Sequence, residues 1–545
     1  MTSEESISVP VSLRAAAAQF GDALWILRGA KRLGFADAER RSARLALGLA
    51  ASGVGKGTHV GLLMPNGPDW AVAWLAAARI GAVVVPMSTF YSRPELGWVL
   101  GHADVHTLLC VPDYLGNDYL GHLHAVAPGL ARQSPGQIRV PELPFLRAVH
   151  VFGGAQEQRD WALPVTDLEA AVDADPALDA PFLEALEEAV TPADPMVLIY
   201  SSGSSGRPKG AVHSHEAVLR QAEYLGGLRD LGPEDRMYSP MPFFWVGGFV
   251  YTLVSALCHG SGILCDETSE PEKTLDLLER EGATVVDGFP QHEKAMCEHP
   301  SFPDRDLSSI RAGNLYALQR PALRPAAVDL RSNSLGMTET CAAHTADRSD
   351  VDLPEAHRGS YGRPVPGIEH KIIDLETGAT LPPGVDGEIC VRGRSVLQSL
   401  YKVEREDTFD PDGFYHTGDV GRFDDGVLYF MGRLGEMIKT GGANVTPSEV
   451  EAALDALPEV ELSQVVGVPD ATLGQRVVAA VVLAPGETAK ADDLRSRLRA
   501  DLSAYKVPRH TFFLKSEELP LTDTGKIDKR GLAEALAERV ARDLS

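Results

Sequence analysis

Cysteine is scarce and scattered in this sequence of 545 residues: Cys110, Cys258, Cys265, Cys297, Cys341 and Cys390, with no CxxC pair. That spacing offers neither a zinc cage nor a disulfide framework, and it suits a reducing compartment. Long apolar runs are missing too, since no stretch reaches the roughly 18 residues a membrane-spanning helix requires. The N-terminal segment has neither the basic nor the apolar region of a signal peptide, so a cytoplasmic location is expected. Positive charge is in short supply: 51 Lys and Arg stand against 76 Asp and Glu, a formal net charge of −25. Such a surface repels phosphate backbones, which argues against a nucleic-acid partner and requires any polyanionic ligand to meet a local cluster of positive charge. No Ser-His-Asp or Cys-His arrangement for nucleophilic catalysis is legible.

What is there is a composition 44% hydrophobic and 23% charged, ordinary for a globular protein, in a chain too long for one compact core. Periodicity predicts helices over 36–51 and 70–79, and short apolar strands over 59–64, 81–86, 107–111, 196–200 and 283–286. Short apolar strands separated by helices imply a mainly parallel sheet covered on both faces. Residues 113–193, rich in Pro, Ala and Asp, read as long surface loops. The strands expected at 387–393 and 426–431 alternate and are joined by Gly/Asp turns, an antiparallel piece. A smaller segment follows, with helices at 447–456 and 491–502 and strands at 462–468 and 477–483. The fold class is therefore α/β: a large N-terminal domain, 1–431, of mainly parallel sheets with an antiparallel β piece, and a small C-terminal α+β domain, 432–545.

The most informative segment is Tyr200-Ser201-Ser202-Gly203-Ser204-Ser205-Gly206-Arg207-Pro208-Lys209-Gly210. A buried strand runs directly into a loop whose glycines admit a phosphate close to the backbone, whose serine hydroxyls donate to its oxygens, and whose Lys209 adds a point charge. A Walker loop would place Lys after Gly and before Ser or Thr, so this is a different phosphate loop. A flexible linker shares the composition but not the position after a buried strand.

At this loop the sequence resembles the adenylate-forming superfamily of acyl-CoA synthetases, luciferases and peptide-synthetase adenylation domains, whose loop Tyr-Thr-Ser-Gly-Thr-Thr-Gly-x-Pro-Lys-Gly is matched here with Ser in place of each Thr. Further matches follow in order along nearly the whole chain. Ser334-Leu335-Gly336-Met337-Thr338-Glu339 resembles the family's Tyr-Gly-Met-Thr-Glu segment. The resemblance implies that Thr338 contacts the α-phosphate and that Glu339 holds Mg²⁺, for which a carboxylate is a suitable hard oxygen ligand. Leu335 stands where the family usually has an aromatic residue against adenine; it would cover the ring face without the stacking preference. Asp419, in Thr417-Gly418-Asp419, would accept from the ribose hydroxyls, and Arg433 would meet ribose or phosphate. Gly435 takes the hinge position, where its wide φ/ψ range suits a pivot. Lys526 would bridge the substrate carboxylate and the α-phosphate, while Lys439, Gly441 and Gly442 resemble the stretch that faces the thiol tunnel once the small domain has rotated.

The reaction so implied is attack of a carboxylate on the α-phosphate of ATP, giving an acyl-adenylate and pyrophosphate, then transfer of the acyl group to coenzyme A. Lys526, Lys209 and Mg²⁺ on Glu339 would offset the charge that gathers in the first transition state. For the acid pocket, Phe244, Trp245, Phe249, Gly247 and Gly248 suggest an apolar wall, and hence a medium- or long-chain fatty acid or another bulky apolar acid. Trp245 stands where the family often has His and cannot act as acid or base. Partners are the carboxylic acid, ATP and coenzyme A, and a homodimer is compatible with the sequence. Two other readings stay open here: transfer to a separate carrier-protein thiol, and an inactive nucleotide-binding homologue, to which Leu335, Trp245 and Gly435 point.

Overall fold

The computed structural model of the chain describes residues 7–153, 159–201, 208–266, 268, 270–434, 438–445, 447–521 and 527–543. Its largest sheet has eight strands in the order Ser399–Leu400, Lys209–Ser214, Pro195–Ser201, Val83–Pro86, His59–Leu63, Thr107–Cys110, Ala148–Val151 and Leu163–Pro164. The last six run parallel. Alternate residues of the same strands serve opposite faces, as a pleat requires. Val60, Leu62 and Val84 pack with helices Phe35–Ala51 and Pro68–Arg79, while Val83, Val85 and Leu108 pack with helices Arg93–His102 and Tyr119–Val126. Burial on both faces is why these strands read as unbroken apolar runs. A second sheet is ordered Val285–Val286, Arg236–Tyr238, Gly262–Cys265, Leu24–Arg28 and Lys31–Gly34, parallel but for its last strand.

The antiparallel piece is a four-stranded sheet, Ile368–Ile373, Gly387–Gly393, Tyr415–Asp424 and Val427–Arg433. Its final strand runs through Arg433, past the expected boundary at residue 431, because Gly432 and Arg433 pair with Val420 and Asp419. The small unit beyond is built on strands Ile438–Thr440, Ala443–Val445, Val460–Asp470, Gly474–Leu483 and His510–Phe513. Helices Pro447–Asp455 and Ala491–Asp501 cover one face through Val450, Leu454, Leu494 and Leu498, and helix Lys529–Asp543 covers the other through Leu532, Leu536 and Val540.

One sequence expectation is corrected. Residues 113–193 are not mainly loops: they hold helices Tyr119–Val126, Thr166–Ala174 and Ala180–Glu188, and Ala148–Val151 lies inside the main sheet. Two of these helices start at Asp118 and Asp179, whose carboxylates accept from Gly121 N and Phe182 N. Each helix is only eight or nine residues long and buries one to three side chains, too few to stand out as a period. Among the described residues no helix is long and apolar enough to cross a membrane.

Four histidines sit deep in this fold, His150, His213, His215 and His344. Burial holds the imidazoles of His150, His213 and His215 down at about 4. They are neutral in the native state, while in the unfolded chain they titrate near 6.5. The unfolded chain therefore binds more protons below about pH 6.5, so stability is intact above that pH and falls as pH drops toward about 4, by roughly 1 kcal/mol per histidine per pH unit. Thermal unfolding near pH 5.5 is expected to begin several degrees below that near pH 7.5, and His150→Leu to narrow the gap; equal midpoints at the two pH values would contradict this.

Candidate active site

The strands Pro195–Ser201 and Lys209–Ser214 pair antiparallel, with Ser201 opposite Lys209. Of the loop between them, Ser202, Gly203, Ser204, Ser205 and Gly206 lie outside the described residues. The strand end points into a central cavity of about 340 Å³ lined by Tyr200, Ser201, Pro208, Gly336, Met337 and Thr338, among others. Two of the sequence motifs thus meet in space. Ser201 Oγ donates to Glu339 Oε1 at 2.9 Å, and Glu339 is buried. This carboxylate and hydroxyl are oxygen donors only, the chemistry a hard divalent cation takes.

A strained turn aims Thr338 and Glu339. The single helical turn Thr338–Thr340 is followed by Cys341 at φ +55° and Ala342 at φ +92°, a left-handed pair that costs on the order of 1–3 kcal/mol per residue. Thr340, fully buried, holds the turn: its hydroxyl donates to Ala342 O at 2.7 Å and accepts from Met337 N at 3.1 Å. From the neighbouring strand, His213 Nε2 lies 2.7 Å from Thr338 O. A carbonyl only accepts, so this nitrogen carries the proton. Leu335 packs in the main apolar core and lines none of these cavities, while Ser334 and Gly336 do. Strand alternation sends its side chain to the core face while its neighbours border the cavities.

The aromatic element divides in the same way. Trp245 lines the central cavity, and Phe244 beside it meets Trp245 and Phe90 edge-on. Phe249 is corrected from pocket wall to core, wedged edge-on against Trp70 and Trp74. Gly248 also lines none of the cavities: it lies against the Pro242 carbonyl, where a side chain would overlap it. Residues Gly247–Val254 form a π-helical turn, a distortion common at functional sites. It brings Gly247 and Tyr251 to a second, inner cavity of about 380 Å³, which shares Met241, Val246, Gly247 and Gly336 with the central one.

The small unit closes the site. Gly442 and Ala443 line the central cavity, with Gly442 against the Phe289 ring so closely that a side chain would overlap it. Gly441 lines an outer channel of about 660 Å³ that runs between the two units and meets the central cavity at Tyr91, Trp245, Phe289 and Tyr505. Lys439 lies 5.4 Å from the Phe430 ring of the large unit. Asp419 is buried, opposite Arg433 across paired strands. Lys526 and Gly435 lie outside the described residues.

Sequence reading missed the lysine that this interface buries. Lys506 Nζ donates to Glu95 Oε1 of the large unit and to Glu449 Oε1 of its own unit, both at 2.7 Å, and all three side chains are at least nine-tenths buried. Ser503 Oγ donates to Glu95 Oε2 at 2.6 Å, and Ser92 Oγ to Asp501 O at 2.8 Å. Burial raises the Glu449 carboxyl. Burial alone would lower the Lys506 amine, but Tyr505, Glu95 and Glu449 together push it up. The Ser92-Arg93-Pro94-Glu95 capping box starts helix Arg93–His102, and Glu95 also faces the small unit.

Known proteins match along the whole length. The AMP-binding enzyme family model covers residues 13–401, and that of the AMP-binding enzyme C-terminal domain covers 449–526. A mitochondrial medium-chain acyl-CoA ligase, ACSF2 of Rattus norvegicus, is 30% identical over 538 residues, 95% of this chain and 85% of that protein. A methyl-dioxo-octahydroindenyl-propanoyl:CoA ligase of Rhodococcus jostii (strain RHA1) is 31% identical over 545 residues, 97% and 99% of the two chains. Among solved structures, the amide bond synthetase McbA of Marinactinospora thermotolerans superposes with a TM-score of 0.74 at 26% identity, covering 96% of this chain and 99% of that one.

Removing the shared cation leaves two buried carboxylates facing each other, at a cost of about 3–5 kcal/mol. Lys506→Met is expected to loosen the docked small unit and raise the radius of gyration in small-angle scattering, and Glu95→Gln to do so less. Unchanged scattering from Lys506→Met would mean that the cluster does not hold the interface.

Proposed function

The chain belongs to the AMP-binding enzyme family and joins a carboxylic acid to coenzyme A through ATP-dependent activation, and from that premise we propose how its three cavities divide the work. The inner cavity takes the body of the acid. The central cavity brings the carboxylate to the α-phosphate beside Thr338. The outer channel admits the thiol arm, with Arg499 and Arg509 on its wall to meet phosphates. The observation that carries this reading is continuity: Gly247 and Gly336 join inner to central, and Trp245 and Phe289 join central to outer.

In the first step a carboxylate oxygen bonds to the α-phosphorus and pyrophosphate leaves. Lys209 and the loop 201–206 hold phosphate oxygens, Asp419 and Arg433 hold the ribose, and Lys526 bridges the acid and the phosphate. Mg²⁺ held by Glu339 supplies positive charge to the phosphate oxygens when bound. In the second step the thiol sulfur bonds to the acyl carbon and AMP leaves. The arrangement described above fits this second step. Gly442 and Ala443 line the central cavity, whereas Leu521 and Ile527, on either side of the segment that carries Lys526, bridge to each other. In this reading the small unit turns between the two steps, with Gly435 as the pivot. Trp245 acts as a wall and gate between acid and thiol. Six unpaired cysteines support a reducing compartment such as the cytoplasm.

Incubation with ATP, Mg²⁺ and a panel of acids, with and without coenzyme A, tests this by mass spectrometry. Acyl-CoA and AMP are expected together, and acyl-adenylate alone would shift the acceptor to a carrier-protein thiol. Lys526→Ala is expected to slow acid-dependent pyrophosphate release by roughly 10²–10³-fold. The same variant should still make acyl-CoA from supplied acyl-adenylate. Equal loss of both half-reactions would refute the role given to Lys526.

A further inference from the structure

The inner cavity is not the apolar slot that its aromatic approach suggests. One wall carries a buried cation: Arg229, 4% exposed at its side chain, follows the end of helix His215–Leu228. Its guanidinium lies over the Tyr251 ring at 3.7 Å, Nε donates to Leu225 O at 3.3 Å, and Nη2 donates to Tyr251 O. Nη1 makes no hydrogen bond. Its nearest carboxylate oxygen, Asp287 Oδ2, stands 3.6 Å away, too far for one, and makes none either. Asp287 Oδ1 accepts from Asn314 N at 3.3 Å. Arg229, Asp287, Tyr251 and Asn314 all line the inner cavity. A buried donor and a buried acceptor are thus left side by side with capacity to spare, which costs free energy unless a ligand supplies the partner.

We propose that the acid this enzyme activates carries an uncharged oxygen function, a ketone or hydroxyl, on its body away from the carboxylate, and that Arg229 and Asp287 bind it. This rests on reading the inner cavity as the acyl site. A ketone oxygen accepts from Arg229 Nη1; a hydroxyl accepts there and donates to Asp287 Oδ2. A second carboxylate fits poorly, because Asp287 and Asp347 both line the cavity against the single cation of Arg229. A plain hydrocarbon tail fits poorly as well, since it would leave the buried Nη1 and Oδ2 without partners. The chemistry of this wall is therefore that of a selective site, because groups built to bond a substrate oxygen discriminate against the analogue that lacks it.

The test compares kcat/KM for matched acids on the whole enzyme with ATP, Mg²⁺ and coenzyme A: cyclohexylpropanoate against its para-keto and para-hydroxy derivatives, and octanoate against its penultimate ketone and against octanedioate. Oxygenated acids are expected to be favoured roughly 10- to 100-fold over their parents. Arg229→Met is expected to shrink that ratio toward one, and Asp287→Asn to narrow the preference for hydroxyl over ketone. The wild-type ranking stands even if a variant fails to fold. Plain acids turning over as well as oxygenated ones, or a ratio unchanged in folded Arg229→Met, would overturn the proposal while the ligase reading survives on the AMP released. Octanedioate as the best substrate would overturn the uncharged part. No AMP from any acid would sink both readings.

Discussion

A single buried ammonium, that of Lys506, ties Glu95 of the large unit to Glu449 of the small one, and the geometry of the site depends on it. The outer channel exists only because the two units face each other, with walls from Phe90, Tyr91 and Pro240 on one side and Thr440, Gly441 and Tyr505 on the other. Such a cluster is strong and brittle together. Its charges are nearly dry, so each contact is worth more than at a surface, yet the same dryness makes any unpaired member expensive. A contact of that kind suits a unit that docks in a defined pose.

Within the large unit, precision comes from backbone rather than from side-chain charge. The positive-φ pair Cys341 and Ala342, pinned by Thr340, and the π-helical turn at Gly247–Val254 are both departures from regular structure, and both border the cavities. Regular strands could not present Thr338 and Glu339 beside Ser201 while returning Ala342 and Ala343 to the inner cavity. The surrounding core, dense with Trp70, Trp74 and Phe249, supplies the rigidity that lets these strained segments persist.

Much of the fold was legible because its signals are local. Strands such as 83–86 and helices such as 35–51 follow from runs and periods that any tertiary setting would respect. The helices within 113–193 were not, since eight or nine residues with one to three buried positions leave almost no period to read. The motifs of the site were legible in the same local sense, and Ser201, Gly336, Thr338 and Gly442 from three of them line one cavity. Leu335, Gly248 and Phe249 line none of these cavities, because which side of a strand or turn faces a cavity is set by register, which composition does not encode.

What the sequence determined by itself was the family and the reaction, because ordered motifs carry chemistry that no rearrangement of loops removes. Only the tertiary structure decided which residues share a cavity. Arg229 and Asp287 are 58 positions apart, and Lys506 and Glu95 are 411 apart. Each alone reads as a solvated surface charge, the commonest fate of such residues. Their meaning comes from burial beside a partner, and burial is a property of the packed chain, not of the local one.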